Sequence, residues 1–247
     1  MKTLSIKDYD LEIKLPSIVN IIGLPGMGKT HLLKILINKI ENHSIYLDDK
    51  SIHNIDIDFK KRNIAACLDL KLNTKIVEDE LLYYLKTFSF SNQEQHSRLE
   101  EFTTYFTLEE FIKEKIENIT IHQRALIKIL SFLIINPLIL GIDNLLAHLD
   151  EGCKKKIFSY AKQNNITILN ITAEKEEFLL ASHLMIIEKA KVKKIGTAKA
   201  VLADEKALAV AGFQLPFVVN ISNGLNLYEM IDKKYYTLKS LVGAIWK

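Results

Sequence analysis

Cysteine is scarce in this sequence, and the histidines lack the spacing of common zinc motifs. The two cysteines, Cys67 and Cys153, are far apart in the chain, which excludes a disulfide framework or a cluster of several cysteines around a metal. The seven histidines form no HxxxH or HExxH pattern, the spacing that places two imidazoles on one metal ion. The sequence therefore predicts two free thiols and no zinc site.

Long apolar runs are also absent. The longest, residues 129–142, is interrupted by Asn136 and Pro137, and it falls short of the roughly 20 residues that a membrane-spanning helix needs. The first residues contain no apolar signal core. With 48% hydrophobic and 26% charged residues, the composition is that of a soluble globular protein, and we expect it in the cytoplasm.

Charge of one sign is not concentrated anywhere in the chain. The net charge is +3, and the lysine-rich segments are interleaved with glutamate and aspartate. Nucleic-acid-binding domains usually carry a clustered basic stripe. The sequence therefore predicts no nucleic-acid partner.

The length and the order of apolar segments indicate the fold class. A chain of 247 residues forms one large domain, or one domain with an appendix. Short β-branched apolar runs alternate with helical patterns, which is typical of an α/β fold with parallel core strands. The predicted strands are residues 18–22, 44–47, 63–67, 138–142, 167–171 and 184–187.

A glycine-rich phosphate loop is the most specific motif. Residues 23–30 read GLPGMGKT and match GxxxxGK[ST], with a predicted strand before the loop and a helical pattern after it. Backbone N–H groups of such a loop and the following helix N-terminus bind phosphate oxygens. We expect Lys29 to reach the β- and γ-phosphates and the Thr30 hydroxyl to bind Mg²⁺. The predicted nucleotide-binding residues are Gly23, Leu24, Pro25, Gly26, Met27, Gly28, Lys29 and Thr30.

A second strand ends in a carboxylate. Residues 137–143 read PLILGID, the form of a Walker B strand whose final aspartate holds the magnesium ion and its water shell. Together with the phosphate loop, Asp143 predicts a site for Mg-ATP, with Thr30 and Asp143 as the metal-binding residues.

The order of motifs resembles the nucleotide-binding domain of ABC-type ATPases. Aligned on Asp143, the family's signature loop LSGGQ falls on ITIHQ, of which only Gln123 matches. The catalytic glutamate falls on Asn144, the aspartate of the loop that follows falls on Asp150, and the switch histidine falls on Ala173. The family's Q-loop glutamine falls on Asp69. The resemblance implies that Gln123 and Asp150 contact a second ATPase subunit.

The C-terminal part of the sequence resembles a narrower group. Residues 196–247, with Gly196-Thr197 and GFQLP at 212–216, are similar to the C-terminal extension of ATPase subunits of energy-coupling factor (ECF) transporters. This resemblance implies a P-loop NTPase of ABC-ATPase type with a parallel core sheet. It further implies a nucleotide-binding domain at 1–195, a helical subdomain at about 88–135 and a helical extension at 196–247.

The departures from the family pattern imply impaired catalysis. Asn144 cannot accept a proton from water at neutral pH, although a positioned general base contributes typically ~10²–10⁴ in rate. Ala173 has no side chain for the γ-phosphate, and Asp69 brings a negative charge to a position that is neutral in the family. We therefore assign no catalytic residue, while the ATP- and Mg²⁺-binding residues are intact.

The resemblance implies an ATP-binding subunit of an ECF-like importer, peripheral on the inner face of the membrane. It would pair with a second ATPase subunit in a homo- or heterodimer and dock on an integral membrane subunit. The acidic run Glu78, Asp79 and Glu80 leads us to expect an acidic groove for that docking.

Three alternatives stay open. In the first, the chain is a soluble, nucleotide-responsive regulator or scaffold without a transporter. In the second, it is a working ATPase whose base comes from Asp150 or a partner. In the third, it is a member of another P-loop class.

Tyr9 is the sole aromatic residue before the phosphate loop, and it is either an adenine contact or a core residue.

Overall fold

The computed structural model describes residues 2–246, apart from the side chain of Val210. The strands are β1 (Lys2–Ile6), β2 (Leu11–Leu15), β3 (Ile18–Ile22), β4 (Ile45–Leu47), β5 (Lys50–Ser51), β6 (Ile64–Cys67), β7 (Ile139–Asp143), β8 (Thr167–Ile171), β9 (His183–Glu188) and β10 (Lys191–Thr197). The helices are α1 (Lys29–Leu36), α2 (Ile57–Asn63), α3 (Val77–Thr87), α4 (Asn92–Phe106), α5 (Ile121–Leu133), α6 (Glu151–Gln163), α7 (Ala198–Leu202), α8 (Glu205–Val210), α9 (Phe217–Leu227) and α10 (Leu238–Ile245).

The central sheet has six strands in the order β10-β9-β3-β8-β7-β6. Strands β9, β3, β8, β7 and β6 are parallel, and β10 is antiparallel to β9. All residues of β3 and β8 are buried, because helices and the second sheet cover both faces. The predicted α/β fold with a parallel core is confirmed, and the carboxyl ends of β3 and β7 lie at one edge with β8 between them.

A second sheet, antiparallel and four-stranded, has the order β2-β1-β4-β5. The prediction that residues 44–47 form a parallel strand of the core sheet is wrong. They include β4, which pairs antiparallel with β1 in this second sheet, with Leu4 opposite Leu47. In β2, buried and exposed residues alternate along the sequence LEIKL. That period of two was the missed signal of a one-sided antiparallel sheet.

Three helices, α3, α4 and α5, pack beside the β6 edge of the central sheet. Capping boxes start two of them: Ser91 with Glu94 at α4, and Thr120 with Gln123 at α5. Each box satisfies backbone N–H groups that the first helical turn leaves unpaired. Helices α4 and α5 lie inside the range 88–135 given to the helical subdomain, whose boundaries stay a prediction.

Helices follow β10 to the end of the described chain. Residues of α7 and α8, among them Val201, Leu202 and Leu208, form a buried cluster with Phe178 and with Ile186 of β9. Apolar side chains of α9 and α10 are exposed, such as Phe217, Leu227 and Leu238. The division of the chain at residue 195 stays a prediction. Within residues 2–246, no helix combines the length and the apolar character needed to cross a membrane.

Candidate functional site

The phosphate loop connects β3 to α1, as predicted from its sequence. Gly28 lies directly before the first residue of α1 and has a φ of 96°, a conformation that glycine adopts without strain. A Cβ added at Gly28 would lie 3.0 Å from Cα and Cβ of Ala190. The loop is therefore held close to the β9–β10 turn, and substitution there would displace it.

Lys29 lies over the loop that precedes it. Its Nζ donates to the carbonyl oxygens of Gly23 at 2.6 Å and Leu24 at 2.9 Å. Burial lowers the pKa of the Lys29 ammonium, and the nearby Asp143 carboxylate acts in the opposite direction. The ammonium is thus at the loop's centre, where a phosphate oxygen could replace the carbonyls as its acceptor.

The two predicted metal-binding residues are in direct contact. The Thr30 hydroxyl at the start of α1 donates to Oδ2 of Asp143 at 2.6 Å. Asp143 is the last residue of β7 and is paired with Ile171 of β8, so the parallel sheet places it beside the loop that follows β3. Hydroxyl and carboxylate oxygens are ligands that suit Mg²⁺. This oxygen pair therefore fits a magnesium ion.

Asn144 binds the other oxygen of that carboxylate. Its Nδ2 donates to Oδ1 of Asp143 at 3.0 Å, and its backbone N–H donates to the Ile171 carbonyl at 3.0 Å. The residue has a φ of 56°, which asparagine tolerates better than most residues. The amide therefore helps to orient the Asp143 carboxylate.

The phosphate loop lines a cavity of about 590 Å³. Ala173, after β8, lies in its wall with only a methyl side chain, as the sequence implies. The C-terminal residues Ala211, Gly212 and Phe213 also line it, and a Cβ at Gly212 would lie 2.4 Å from Leu24. Sequence reasoning missed this contact, since no local pattern relates residues so far apart in the chain.

Asp69 lies outside this cavity. It follows β6 at the same edge of the central sheet, but it is exposed, and its Oδ1 accepts the Lys71 backbone N–H at 2.9 Å. Asp69 lines a neighbouring groove of about 480 Å³. The structure therefore does not bring this residue to the phosphate loop.

The residues of the acidic run beside that groove are hydrogen-bonded or paired with lysines, contrary to our expectation of an acidic docking surface. Glu80 is buried and accepts the backbone N–H groups of Asn73 and Thr74. Glu78 is paired with Lys113 at 2.6 Å, and Asp79 lies 3.8 Å from a lysine ammonium. The groove itself is basic, with four lysines in its lining: Lys39, Lys61, Lys71 and Lys128.

Gln123 and Asp150, the predicted dimer contacts, both cap helices. Gln123 Oε1 accepts the Thr120 backbone N–H at 2.9 Å. Asp150 precedes α6 and accepts the Cys153 backbone N–H at 2.8 Å, a bond that lowers the pKa of the Asp150 carboxyl. Asp150 Oδ2 lies 3.6 Å from Nε2 of His122, so the starts of α5 and α6 are neighbours. The role of both residues in a dimer stays a prediction.

Tyr9 lies beneath the phosphate loop. Its side chain is 2% exposed, and its hydroxyl donates to the Gly28 carbonyl at 2.9 Å. Burial raises the pKa of Tyr9 to about 12. A ring enclosed in this way has no free face for a base, which supports the core reading of Tyr9 over an adenine contact.

Comparison with known proteins places this geometry in a family. A family model described as ABC transporter matches residues 6–147, more than half of the chain. The chain is 26% identical over 252 residues to the energy-coupling factor transporter ATP-binding protein EcfA1 of Mycoplasmopsis synoviae, covering 98% of this chain and 93% of that protein. It is 24% identical over 230 residues to the protein of the same name from Staphylococcus aureus, covering 90% and 86%.

Solved structures show the same fold. The structure of cbiO1 from Clostridium perfringens, described as part of the ABC transporter complex cbiONQ, superposes with a TM-score of 0.73 and 19% identity over 92% of this chain and 98% of that chain. A nucleotide-free ATP-binding cassette from an ABC transporter gives a TM-score of 0.67 and 19% identity over 85% and 98%. The predicted P-loop fold of ABC-ATPase type is confirmed, and the chain belongs to the ABC transporter family.

Proposed function

We propose that this chain is the ATP-binding subunit of an ECF-like importer and that it binds Mg-ATP but hydrolyses it poorly at its own phosphate loop. The observation that carries the binding proposal is the 2.6 Å contact between Thr30 and Asp143 at the foot of the loop. The relatives named energy-coupling factor transporter ATP-binding protein, which align over nearly the whole chain, support the importer assignment.

The binding residues have distinct roles in this proposal. The loop N–H groups and the N-terminus of α1 bind phosphate oxygens, and the Lys29 ammonium moves from the loop carbonyls to the phosphates. Thr30 and Asp143 would hold a magnesium ion, which supplies positive charge beside the phosphates. Asn144 keeps Asp143 oriented through its 3.0 Å hydrogen bond.

The proposal of poor hydrolysis rests on what lines the cavity. Asn144 donates at the position where a base would accept a proton, and Ala173 offers no polar side chain. Among the described residues that line the cavity, only His31 has an imidazole side chain. His31 is therefore the residue to test for the alternative that this subunit is a working ATPase with an unusual base.

The pairing proposal concerns the loops before α5 and α6. Gln123 and Asp150 lie at the N-termini of these helices, and Ile121 at the start of α5 is an exposed apolar residue. We infer that this surface contacts a second ATPase subunit. An integral membrane subunit would dock elsewhere, and the chain would act at the cytoplasmic face of the membrane without contacting nucleic acid.

Affinity purification of the full chain in mild detergent from the cells that produce it, with every co-purifying protein identified, tests the importer proposal. We expect a second ATP-binding subunit together with a protein that crosses the membrane several times. A catch of soluble proteins alone would overturn the importer assignment and favour the regulator alternative.

Equilibrium binding of Mg-ATP to the purified chain tests the nucleotide proposal separately. We expect saturable binding to the native chain and strong loss in the Lys29→Ala variant, which removes the ammonium. Lys34→Ala is the matched control, because it removes an exposed lysine of the same helix that does not line the cavity. Equal affinity of Lys29→Ala and the native chain would overturn the assignment of this loop as the ATP site.

A further inference from the structure

Three potential metal ligands of different chemistry meet between the N-termini of α5 and α6. They are the His122 imidazole, the Asp150 carboxylate and the Cys153 thiol, and one ligand atom from each lies within 4.8 Å of the other two. Nε2 of His122 is 3.6 Å from Oδ2 of Asp150 and 3.9 Å from Sγ of Cys153. None of the three lines the phosphate-loop cavity.

The imidazole is oriented as in many metal sites. Nδ1 of His122 lies 3.0 Å from the His148 carbonyl oxygen, an acceptor that requires a proton on Nδ1. The lone pair of Nε2 then points to the carboxylate and the thiol. A backbone carbonyl that fixes the tautomer of a metal-binding histidine is a common outer partner in metal sites.

Helix α6 fixes the other two ligands. Oδ1 of Asp150 accepts the Cys153 backbone N–H at 2.8 Å, which is the N-cap of the helix. That bond holds the carboxylate and leaves Oδ2 directed to His122. Because Cys153 follows Asp150 by one helical turn, its sulfur lies on the same side of the helix. Two of the three ligands are therefore preorganised by the backbone.

Two of the three ligand separations are close to the edge length of a coordination tetrahedron. With Zn–N and Zn–O bonds near ~2.0–2.1 Å and a Zn–S bond near ~2.3 Å, two ligand atoms at a tetrahedral angle lie about 3.3–3.6 Å apart. The observed 3.6 and 3.9 Å are close to this spacing. Without a metal, the 3.6 Å separation of His122 from Asp150 is that of an ion pair rather than a short hydrogen bond, and the 3.9 Å contact of Cys153 with His122 is a long sulfur hydrogen bond.

We propose that His122, Asp150 and Cys153 form a binding site for a divalent transition metal of the zinc class, with the fourth position left for a ligand from outside this cluster. Nitrogen, oxygen and thiolate ligands together suit Zn²⁺ better than Mg²⁺ or Ca²⁺. On binding, the Cys153 thiol releases its proton to solvent and the sulfur coordinates the metal. The ion would join α5 to α6 and stabilise the starts of both helices.

This proposal departs from the expectation of no zinc site. That expectation used the spacing of histidines and cysteines along the sequence, whereas His122 comes from one helix and Asp150 and Cys153 come from the start of another. The proposal does not depend on ATP binding or on the importer assignment.

Titration of the metal-free, full-length chain with Zn²⁺ in competition with a chromophoric chelator, without nucleotide, tests the site. We expect one tight ion per chain in addition to any weak sites. Titration with Co²⁺ should give a thiolate-to-metal charge-transfer band and the intense visible bands of four-coordinate cobalt. The conservative Cys153→Ser variant should lose the thiolate band and at least about tenfold in Zn²⁺ affinity, as even loss of an outer partner costs 10–100-fold.

The matched control is His96→Ala. His96 lies 3.3 Å from the Glu100 carboxylate, so it forms an exposed histidine–carboxylate pair outside the proposed three-ligand cluster. This variant should bind Zn²⁺ as the native chain does. Unchanged affinity in Cys153→Ser, a Co²⁺ spectrum without the thiolate band, or equal losses in Cys153→Ser and His96→Ala would each overturn the proposal. Circular dichroism of the metal-free variants checks that each one is folded.

Discussion

In the proposed function, Asn144 is the residue that most limits the chemistry at the phosphate loop. Its amide donates to Asp143 and has no lone pair that is basic at neutral pH. Because a positioned general base contributes typically ~10²–10⁴ in rate, we expect ATP turnover by the purified chain to be at least ~100-fold below that of a relative with a glutamate there. Phosphate release measures this directly, with Lys29→Ala as the background. Fast turnover that Asp143→Asn abolishes would contradict the expectation.

Replacing Asn144 by glutamate tests the residue's structural role. The left-handed backbone at Asn144 costs a glutamate roughly 1 kcal/mol, and the variant loses a hydrogen bond worth about 1 kcal/mol. A carboxylate beside Asp143 adds repulsion. We expect Asn144→Glu to lower the free energy of unfolding by about 2 kcal/mol or more, measured by urea denaturation without nucleotide.

Asn144→Gly separates these causes. Glycine adopts the left-handed conformation freely, so this variant loses the side-chain hydrogen bond without gaining backbone strain. Its free energy of unfolding should lie between those of the native chain and Asn144→Glu. If Asn144→Glu is as stable as the native chain, the amide is not what orients Asp143.

At the scale of elements, Asp204 attaches helix α8 to the central sheet. Its Oδ1 accepts the Ala207 backbone N–H at 3.0 Å, and its Oδ2 accepts from the Lys194 ammonium on β10. The Lys194 hydrogen bond is the main reason that the pKa of the Asp204 carboxyl is lowered, followed by the helix N–H. The aspartate therefore both caps the helix and pairs with the neighbouring strand.

The lowered pKa of Asp204 predicts a pH dependence. Since the folded pKa lies below the unfolded value of about 3.9, the stabilisation is complete above that pH and is lost as pH falls through the folded pKa. We expect Asp204→Asn, which keeps a good N-cap but loses the charge, to be less stable than the native chain at neutral pH. The difference should vanish in acid, as measured by thermal unfolding. A pH-independent difference would contradict the charge pair.

Local sequence predicted the elements that are contiguous in the chain. The strand before Gly23, the loop and α1 follow from one stretch, and Asp143 was found because its strand ends in a carboxylate. The partner of β4 was not predictable from three residues, since pairing depends on β1, which is distant in sequence. The proximity of His122 to Cys153 was not predictable for the same reason, because packing of α5 on the loop before α6 brings them together.

At the scale of the whole molecule, Tyr9 connects the two sheets. It ends the short turn between β1 and β2 in the antiparallel sheet, and its hydroxyl binds the Gly28 carbonyl of the loop that follows β3 in the central sheet. Its ring centroid lies 6.4 Å from that of His31 on α1. The orientation of the phosphate loop therefore depends on a residue of the other sheet.

Two substitutions at Tyr9 distinguish this support from an adenine contact. Tyr9→Phe keeps the ring and loses one hydrogen bond, so the free energy of unfolding should fall by about 1 kcal/mol. Tyr9→Ala removes a buried ring and should cost roughly 3–5 kcal/mol. Urea denaturation measures both, with Tyr46→Phe on β4 of the same sheet as the control. An adenine contact predicts the opposite pattern, because Tyr9→Ala would weaken ATP binding while the free chain kept its stability.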